Sequence, residues 1–486
     1  MSAIITTKFR FKNANALIAS LSGAGDDTYY VGIGRTQPWT SESNPPIPGD
    51  NYYQESDVKS NIVALKKIAP NNISRAIPRY NWIAGQSYSE YDDQDSALSS
   101  KQFYCVTDEL GIYKCIKAGP SGSTIKPTGT STGIGNVLSD GYQWKYMYTL
   151  SGNDVAKFLT ASFVSAKTLD SDDDTPQWDV QQAAIPGGIH RIKITNGGAN
   201  YTTKPTVTIT GDGFGCTVAP ADITIAGGAI TQILVTNPGF GYSIANVSIS
   251  GGDGTGLTAR AIISPAAGHG ADPVNELGAF YVMIDTPIVA DDGSGDFIVD
   301  NDFRQIALIA NPYEVDDTNG NLIGYWTTGH AYVVGNTVRY SGYTYVCTFN
   351  HTADVFADDV TSNFWVKSAL SSASTLNALT TITFSNLVGT LSKDQTAVGQ
   401  SSNAMGWVDS VDVANSTFRF HQNATTGFKY FQEGEQVTCG AASFTIISVK
   451  SSEYDPLTGD VVYIENLTPV TRNLSQTEDI KLVLEL

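Results

Sequence analysis

Asp170, Asp172 and Asp174 carry the alternating carboxylates that open a calcium-binding loop. Such a loop also needs a glycine at its sixth position and a closing glutamate at its twelfth, and Thr175 and Gln181 stand there instead. A solvated acidic linker is therefore the better reading. Asp291, Asp292 and Asp296 form a similar cluster, with Gly293 and Gly295 marking a hairpin tip. Gly32-Ile33-Gly34 follows a strand, as a dinucleotide loop would, but Gln37 replaces the third glycine of that loop. A strand-end turn is the expectation. Gly211-Asp212-Gly213-Phe214-Gly215 has a counterpart further along the chain, which makes it repeat punctuation rather than a phosphate cradle.

His190, His269, His330, His351 and His421 are scattered, none at metal-ligand spacing to another. His351 follows Cys347 closely, inside a pattern where both read as packing residues. No Walker A or HExxH pattern occurs. Carboxylates are plentiful, but none is singled out as half of a catalytic pair. No enzyme activity, cofactor or metal is expected. Trp326, Tyr332, Tyr345 and Trp365 are the candidate site residues, because aromatic faces stack on sugar rings as on other apolar surfaces. In so small a module the same rings also serve as core, and both readings stay open. The candidate ligand is a glycan or a protein partner.

The composition bounds these readings. A chain of 486 residues suggests several domains. Hydrophobic residues make up 41%, enough for a core, and 46 glycines against 4 methionines point to strands and turns rather than helix bundles. A net charge of −19 argues against nucleic-acid binding, which needs a basic surface. Cys105, Cys115, Cys216, Cys347 and Cys439 lack CxxC spacing, so neither a metal cluster nor a disulfide scaffold is expected. No apolar run reaches membrane-spanning length, and the start of the chain lacks signal-peptide form. A reducing cytoplasm is the expected place of synthesis.

The elements that must position these residues are mainly β. Phe303 to Ala310 is apolar on both alternating faces and reads as a central strand buried on two sides, stopped by Asn311-Pro312. Ile480 to Leu486 reads as its partner. Ile4 to Phe11 alternates like a strand, with a short helix over Asn13 to Leu21. Ser56 is a candidate cap for a helix with Val58, Ile62 and Leu65 on one face. Phe103–Val106 and Ile112–Ile116 form a hairpin, and Tyr142 to Tyr148 an aromatic strand.

Ile192, Asn196, Tyr201, Gly213 and Gly215 recur as Ile233, Asn237, Tyr242, Gly254 and Gly256, a duplication with a constant offset of about forty residues. A weaker duplication relates Gly399, Ser402 and Val408 to Gly440, Ser443 and Val449. The aromatic and glycine spacing from Trp326 to Trp365 resembles small three-stranded modules of the chitin-binding type. The expected organisation is a β-sandwich body with short helical loops, interrupted by three small β-domains. Body segments are 1–185, 276–325 and 453–486. Insertions are a Gly-rich repeat domain at 186–275, the chitin-binding-like module at 326–370 and a barrel-like module at 371–452.

With the insertions set aside, the chain resembles the gene-eight-type baseplate wedge proteins of T-even-like contractile-tailed phages. The residues that carry this are Thr7-Lys8-Phe9-Arg10, Gly34-Arg35 with Pro38-Trp39, Ala76-Ile77-Pro78-Arg79 with Trp82, and Asp140-Gly141-Tyr142 with Trp144. They continue with Phe303-Arg304-Gln305-Ile306, Asn311-Pro312, Tyr463-Ile464-Glu465-Asn466 and Gln476 to Ile480. The resemblance implies a β-sandwich body, a homodimer, other wedge subunits as partners, and a structural place in a virion tail baseplate assembled in the host bacterial cytoplasm. The three insertions depart from the T-even pattern, and through them the chain can meet neighbouring tail proteins or host surface glycans. The rival readings are a carbohydrate-binding tail protein that uses 326–370, and a tail-associated glycan hydrolase.

Overall fold

The computed structural model describes residues 4–23, 27–289, 298–315, 322–341, 343–368, 374–473 and 477–486. Asp291, Asp292, Asp296 and Gln476 lie outside them. The fold is mainly β, with short helices between strands, as the composition predicts. The chain divides into two compact units. One takes Met1–Ala16, Ser74–Met283 and Leu482–Leu486, the other Leu17–Ile73 and Ile284–Lys481.

The second unit is built on a five-stranded sheet in the order Thr375–Asn377, Ile62–Lys67, Tyr29–Gly34, Asn301–Ala310, Asp460–Arg472. Asn301–Ala310 is the central strand. It runs antiparallel to both neighbours, with Ile33 opposite Ile306 on one side and Tyr463 opposite Leu308 on the other. Ile306, Leu308 and Ala310, and equally Ala307 and Ile309, are buried, so both faces are covered. Asn311 ends the strand in the left-handed region at φ 53°, and its side chain accepts from Thr28 N at 2.9 Å. The partner expected from the end of the chain is displaced. Asp460–Arg472 occupies that place, and Thr477–Glu485 lies in another sheet beside Tyr281–Val289. Both terminal strands alternate, so periodicity alone does not choose between them.

Two local expectations also change. Thr7–Leu21 is one helix. Phe11, Ala14 and Leu21 are its buried positions, a helical spacing that the apparent alternation of Phe9 and Phe11 hides. The helix expected from Ser56 instead spans Tyr52–Asn61, capped by Asn51, whose Oδ1 accepts from Gln54 N at 3.0 Å. It stops at Asn61 because Ile62–Lys67 pairs with Tyr29–Gly34. Gly34 is needed at that crossing. A Cβ there would lie 2.5 Å from Asn61 O and 2.9 Å from Ile62 Cα. The Gly32-Ile33-Gly34 run is thus strand and strand end, with no phosphate loop.

The second unit also carries a closed six-stranded barrel, in the order Thr380–Val388, Thr417–His421, Met405–Asp412, Thr396–Gly399, Gln436–Cys439, Ala442–Lys450. Ile382, Phe384, Phe418, Phe420, Val437 and Phe444 fill it. The Trp326–Trp365 region holds Thr337–Tyr340, Tyr343–Cys347 and Trp365–Lys367 in one sheet, joined by Leu322–Tyr325 as a fourth strand. Ala331–Tyr332 and His351–Thr352 form a separate ribbon.

In the first unit, Tyr104–Val106, Gly111–Lys117 and Gln143–Thr149 form an antiparallel sheet whose first turn has Leu110 at φ 63°. The duplication is visible in three dimensions. Thr206–Gly211 pairs with Ala245–Ser250, Ile189–Ala199 with Thr255–Ile263, and Phe214–Thr217 with Asn237–Phe240. Each copy locks the other. The Tyr242 ring packs on Gly213 and the Tyr201 ring on Gly254, where no Cβ would fit. Asp212 accepts from Ser243 N and Ile244 N, and Asp253 from Thr202 N and Thr203 N.

Candidate functional site

Three segments distant in sequence meet along the central strand. Arg304 is 5% exposed and bonds in three directions. Its Nε reaches both Glu42 carboxylate oxygens at 3.0 Å, Nη1 donates to Thr36 O at 2.6 Å, and Nη2 to Asp302 Oδ2 at 3.1 Å. The Arg35 guanidinium lies 3.9 Å from the Trp39 ring centroid, a cation–π contact. Burial pulls Arg35 below the usual guanidinium range, against the opposing charge of Asp57. Trp39 Nε1 donates to Leu467 O at 2.9 Å. Gln305 Nε2 donates to Asn466 Oδ1 at 2.7 Å, and Asn466 Nδ2 to Pro46 O at 2.9 Å. The junction therefore ties the loop after Tyr29–Gly34 to the central strand and to Asp460–Arg472.

The junction continues into the barrel. Thr36 Oγ1 donates to Asp409 Oδ1 at 2.6 Å, and His421 Nδ1 lies 2.8 Å from Asp409 Oδ2. Asn423 Nδ2 donates to Gln37 Oε1 and Asn61 Oδ1, both at 2.9 Å. Thr36, Asn61, Asp409, His421 and Asn423 are all buried. Hydroxyl, carboxylate and imidazole are present together, but in the wrong order for a nucleophile. The hydroxyl donates to the carboxylate, and His421 Nε2 faces the Asn423 amide at 3.3 Å rather than Thr36. The chemistry of this arrangement is cross-linking: a satisfied polar network that fixes one orientation of the barrel against its sheet.

The candidate aromatics of the 326–370 module gather in one core. Tyr332 and Trp365 are each 2% exposed, and Trp326 and Tyr345 are half-buried against the same cluster. Tyr332 and Trp365 meet edge to face at 4.9 Å. The neighbouring Cys347, His351 and Asp359 have the composition of a cysteine-protease triad. Cys347 Sγ lies 3.8 Å from His351 Nδ1, and His351 Nε2 lies 3.5 Å from Asp359 Oδ2. Burial raises the Cys347 thiol, which donates to Phe349 O, so it lacks the thiolate character that nucleophilic chemistry needs.

Sequence spacing missed a buried ionisable cluster in the other unit. Lys114 is fully buried, with Nζ 2.8 Å from Glu276 Oε2 and 3.1 Å from His269 Nδ1, and 4.1 Å from the Tyr91 ring centroid. Burial works to raise the Glu276 carboxyl, but Lys114 and His269 outweigh it and hold it at about 2. Burial and then Lys114 push His269 down to about 3, and burial and then Lys145 push His190 down to about 4. Desolvation brings Lys145 to about 8. The one available signal was a lysine inside the apolar run Ile112-Tyr113-Lys114-Cys115-Ile116. Trp82 and Trp144 join the aromatic core nearby, where Trp144 stacks on Tyr142 at 5.6 Å.

Among the described residues, no group of three His, Cys, Asp or Glu side chains is placed to hold a metal. Asp172 and Asp173 spend carboxylate oxygens on the amides of Asp174 and Thr175, which are local turn contacts. No helix among the described residues is long and apolar enough to cross a membrane.

Two comparisons bear on identity. The family model described as Bacteriophage T4, Gp8 matches residues 3–96. The baseplate wedge protein gp8 of Enterobacteria phage T4 is 25% identical over 185 residues, which cover 30% of this chain and 55% of that protein. The chain therefore matches about half the length of this relative. Both comparisons support the resemblance to gene-eight-type baseplate wedge proteins. The matched segment 3–96 contains Arg35, Thr36, Trp39 and Glu42, one side of the junction.

Proposed function

We propose that this chain is a structural subunit of a contractile phage tail baseplate wedge, located in the virion, that acts as a dimer bridging other wedge proteins. The observation that carries the reading is where the polar residues of the matched segment are spent. Arg35, Thr36, Trp39 and Glu42 cross-link a loop, a central strand and a barrel. Cross-links of this kind suit a part that must keep one shape while partners assemble on it. The role is binding rather than turnover, with assembly in the bacterial cytoplasm before the tail acts. The test is light scattering on the purified full chain, followed by mixing with the other wedge proteins of its own phage. A mass of twice the chain and co-elution with a wedge complex are expected. A monomer that joins no wedge complex overturns the reading.

A further inference from the structure

The duplicated module provides an internal control for its own surface. Its two equivalent ribbons are Ile189–Ala199 with Thr255–Ile263, and Asn237–Phe240 with Phe214–Thr217. At one register the first ribbon pairs Thr255 with Ala199, and the second pairs Phe214 with Phe240. The backbone is the same at both places: Gly215 and Gly256 have φ +85° and +82°, Gly198 and Gly239 +68° and +58°. The turn therefore folds without phenylalanine. Yet Phe214 is 61% exposed and Phe240 48%, with ring centroids 3.9 Å apart.

The two ribbons also differ in charge. The first carries Arg191, Lys193 and Arg260, paired with Glu90, Asp92 and Asp93. The repeat places Gln232, Leu234 and Ala219 at the matching positions of its twin. Beside Phe240 lies a recess of about 470 Å³ lined by Ile185, Pro186, Gly215, Pro238 and Gly239, with no ionisable side chain among its lining residues. The carboxylate closest in sequence to Phe214, Asp212, is exposed, and it accepts from Ser243 N and Ile244 N in its turn.

We propose that the Phe214–Phe240 ribbon is a self-association surface whose occupant is the same ribbon of a second copy of this chain. Electrostatics selects that occupant. A basic partner could use the acidic surface of a chain with net charge −19, whereas a partner of the same sign needs an uncharged place to meet. The first such partner is another copy. Shape agrees, since a projecting ring next to an apolar recess is complementary to itself across a two-fold axis. The exposed apolar area is on the order of a few hundred Å², short of the roughly 800 Å² per partner of a stable dimer. The contact is therefore weak and reversible, and gains strength where copies are already held side by side.

The test is sedimentation of the full chain at rising concentration and salt, against Phe214→Thr/Phe240→Ala, which installs the residues the twin ribbon already carries. Matching melting curves establish that the variant is folded. The wild type should show a reversible, concentration-dependent step that salt strengthens by screening like charges, and the variant should lose about tenfold or more of that association. A dimer formed by any other surface is common to both proteins and drops out of the comparison, so this inference fails or stands apart from the proposed bridging dimer. Identical association of wild type and variant at every salt, as expected if a different protein occupies the ribbon, overturns it. So does association that weakens with salt.

Discussion

Lys114 illustrates what one buried charge demands of its neighbours. Its ammonium is fully buried, and Glu276, His269 and the Tyr91 ring surround it. Glu276 has a second duty, because its Oε1 accepts from Gly270 N at 2.7 Å. Glu276→Gln keeps that acceptor but removes the countercharge and sets an amide N–H where Oε2 accepts from Lys114 Nζ. The expected loss is about 3–5 kcal/mol of unfolding free energy, measured by urea titration, because a cation is left buried without its pair. Adding Lys114→Met should restore most of that loss, since the double variant holds neither charge. A single variant as stable as wild type, or a double variant no better than the single, would remove the pair from the account of this core. His190 and His269 also approach here, with ring centroids 5.7 Å apart, although they stand far apart in the sequence.

At the scale of elements, the duplication was the most legible feature because it is written in glycine. A turn that needs positive φ, or a tyrosine that needs a flat seat, leaves the same letter in both copies. Gly213→Ala and Gly254→Ala make equivalent intrusions into Tyr242 and Tyr201, and should lower the melting temperature by similar amounts in differential scanning calorimetry. A large effect at one and none at the other would show that the copies do not lock each other. The central strand was equally legible, because two apolar faces and Asn311-Pro312 leave few alternatives. Its neighbours were not. Asp460–Arg472 and Thr477–Glu485 share one periodicity, and only tertiary pairing separates them. Ile62–Lys67 read as helix because Val58, Ile62 and Leu65 fit a helical spacing, while the competing signal was pairing with a strand some thirty residues earlier, about which local pattern is silent. The junction was visible only as scattered short segments of a resemblance. That Arg304 would reach Glu42 and Thr36 follows from the antiparallel register of Asn301–Ala310 with Tyr29–Gly34, which no spacing rule supplies.

For the whole molecule, chain order and compactness are at odds. Each compact unit gathers segments from distant parts of the sequence. Cutting the end of the chain and cutting its middle should therefore have opposite consequences. Ending it at Thr458 removes Asp460–Arg472, one of the two neighbours of the central strand, and should abolish cooperative unfolding. Excising Ile189–Ile263 should not. Ser264 N already donates to Gly188 O at 3.0 Å, so a short glycine linker closes the gap without strain. The ion pairs lost with the module, Arg191 and Lys193 to Glu90 and Arg260 to Asp92, are partly exposed and contribute about 0–1 kcal/mol each. The wider cut, 186–275, also removes His269 and Gly270, which pack around Lys114 and Glu276, and should melt several degrees below the narrower one. Calorimetry on the three proteins separates these outcomes. If the two excisions melt alike, the Lys114 cluster does not depend on the returning segment. If the narrow excision unfolds without cooperativity, the repeat is part of the unit's core rather than a module set into it.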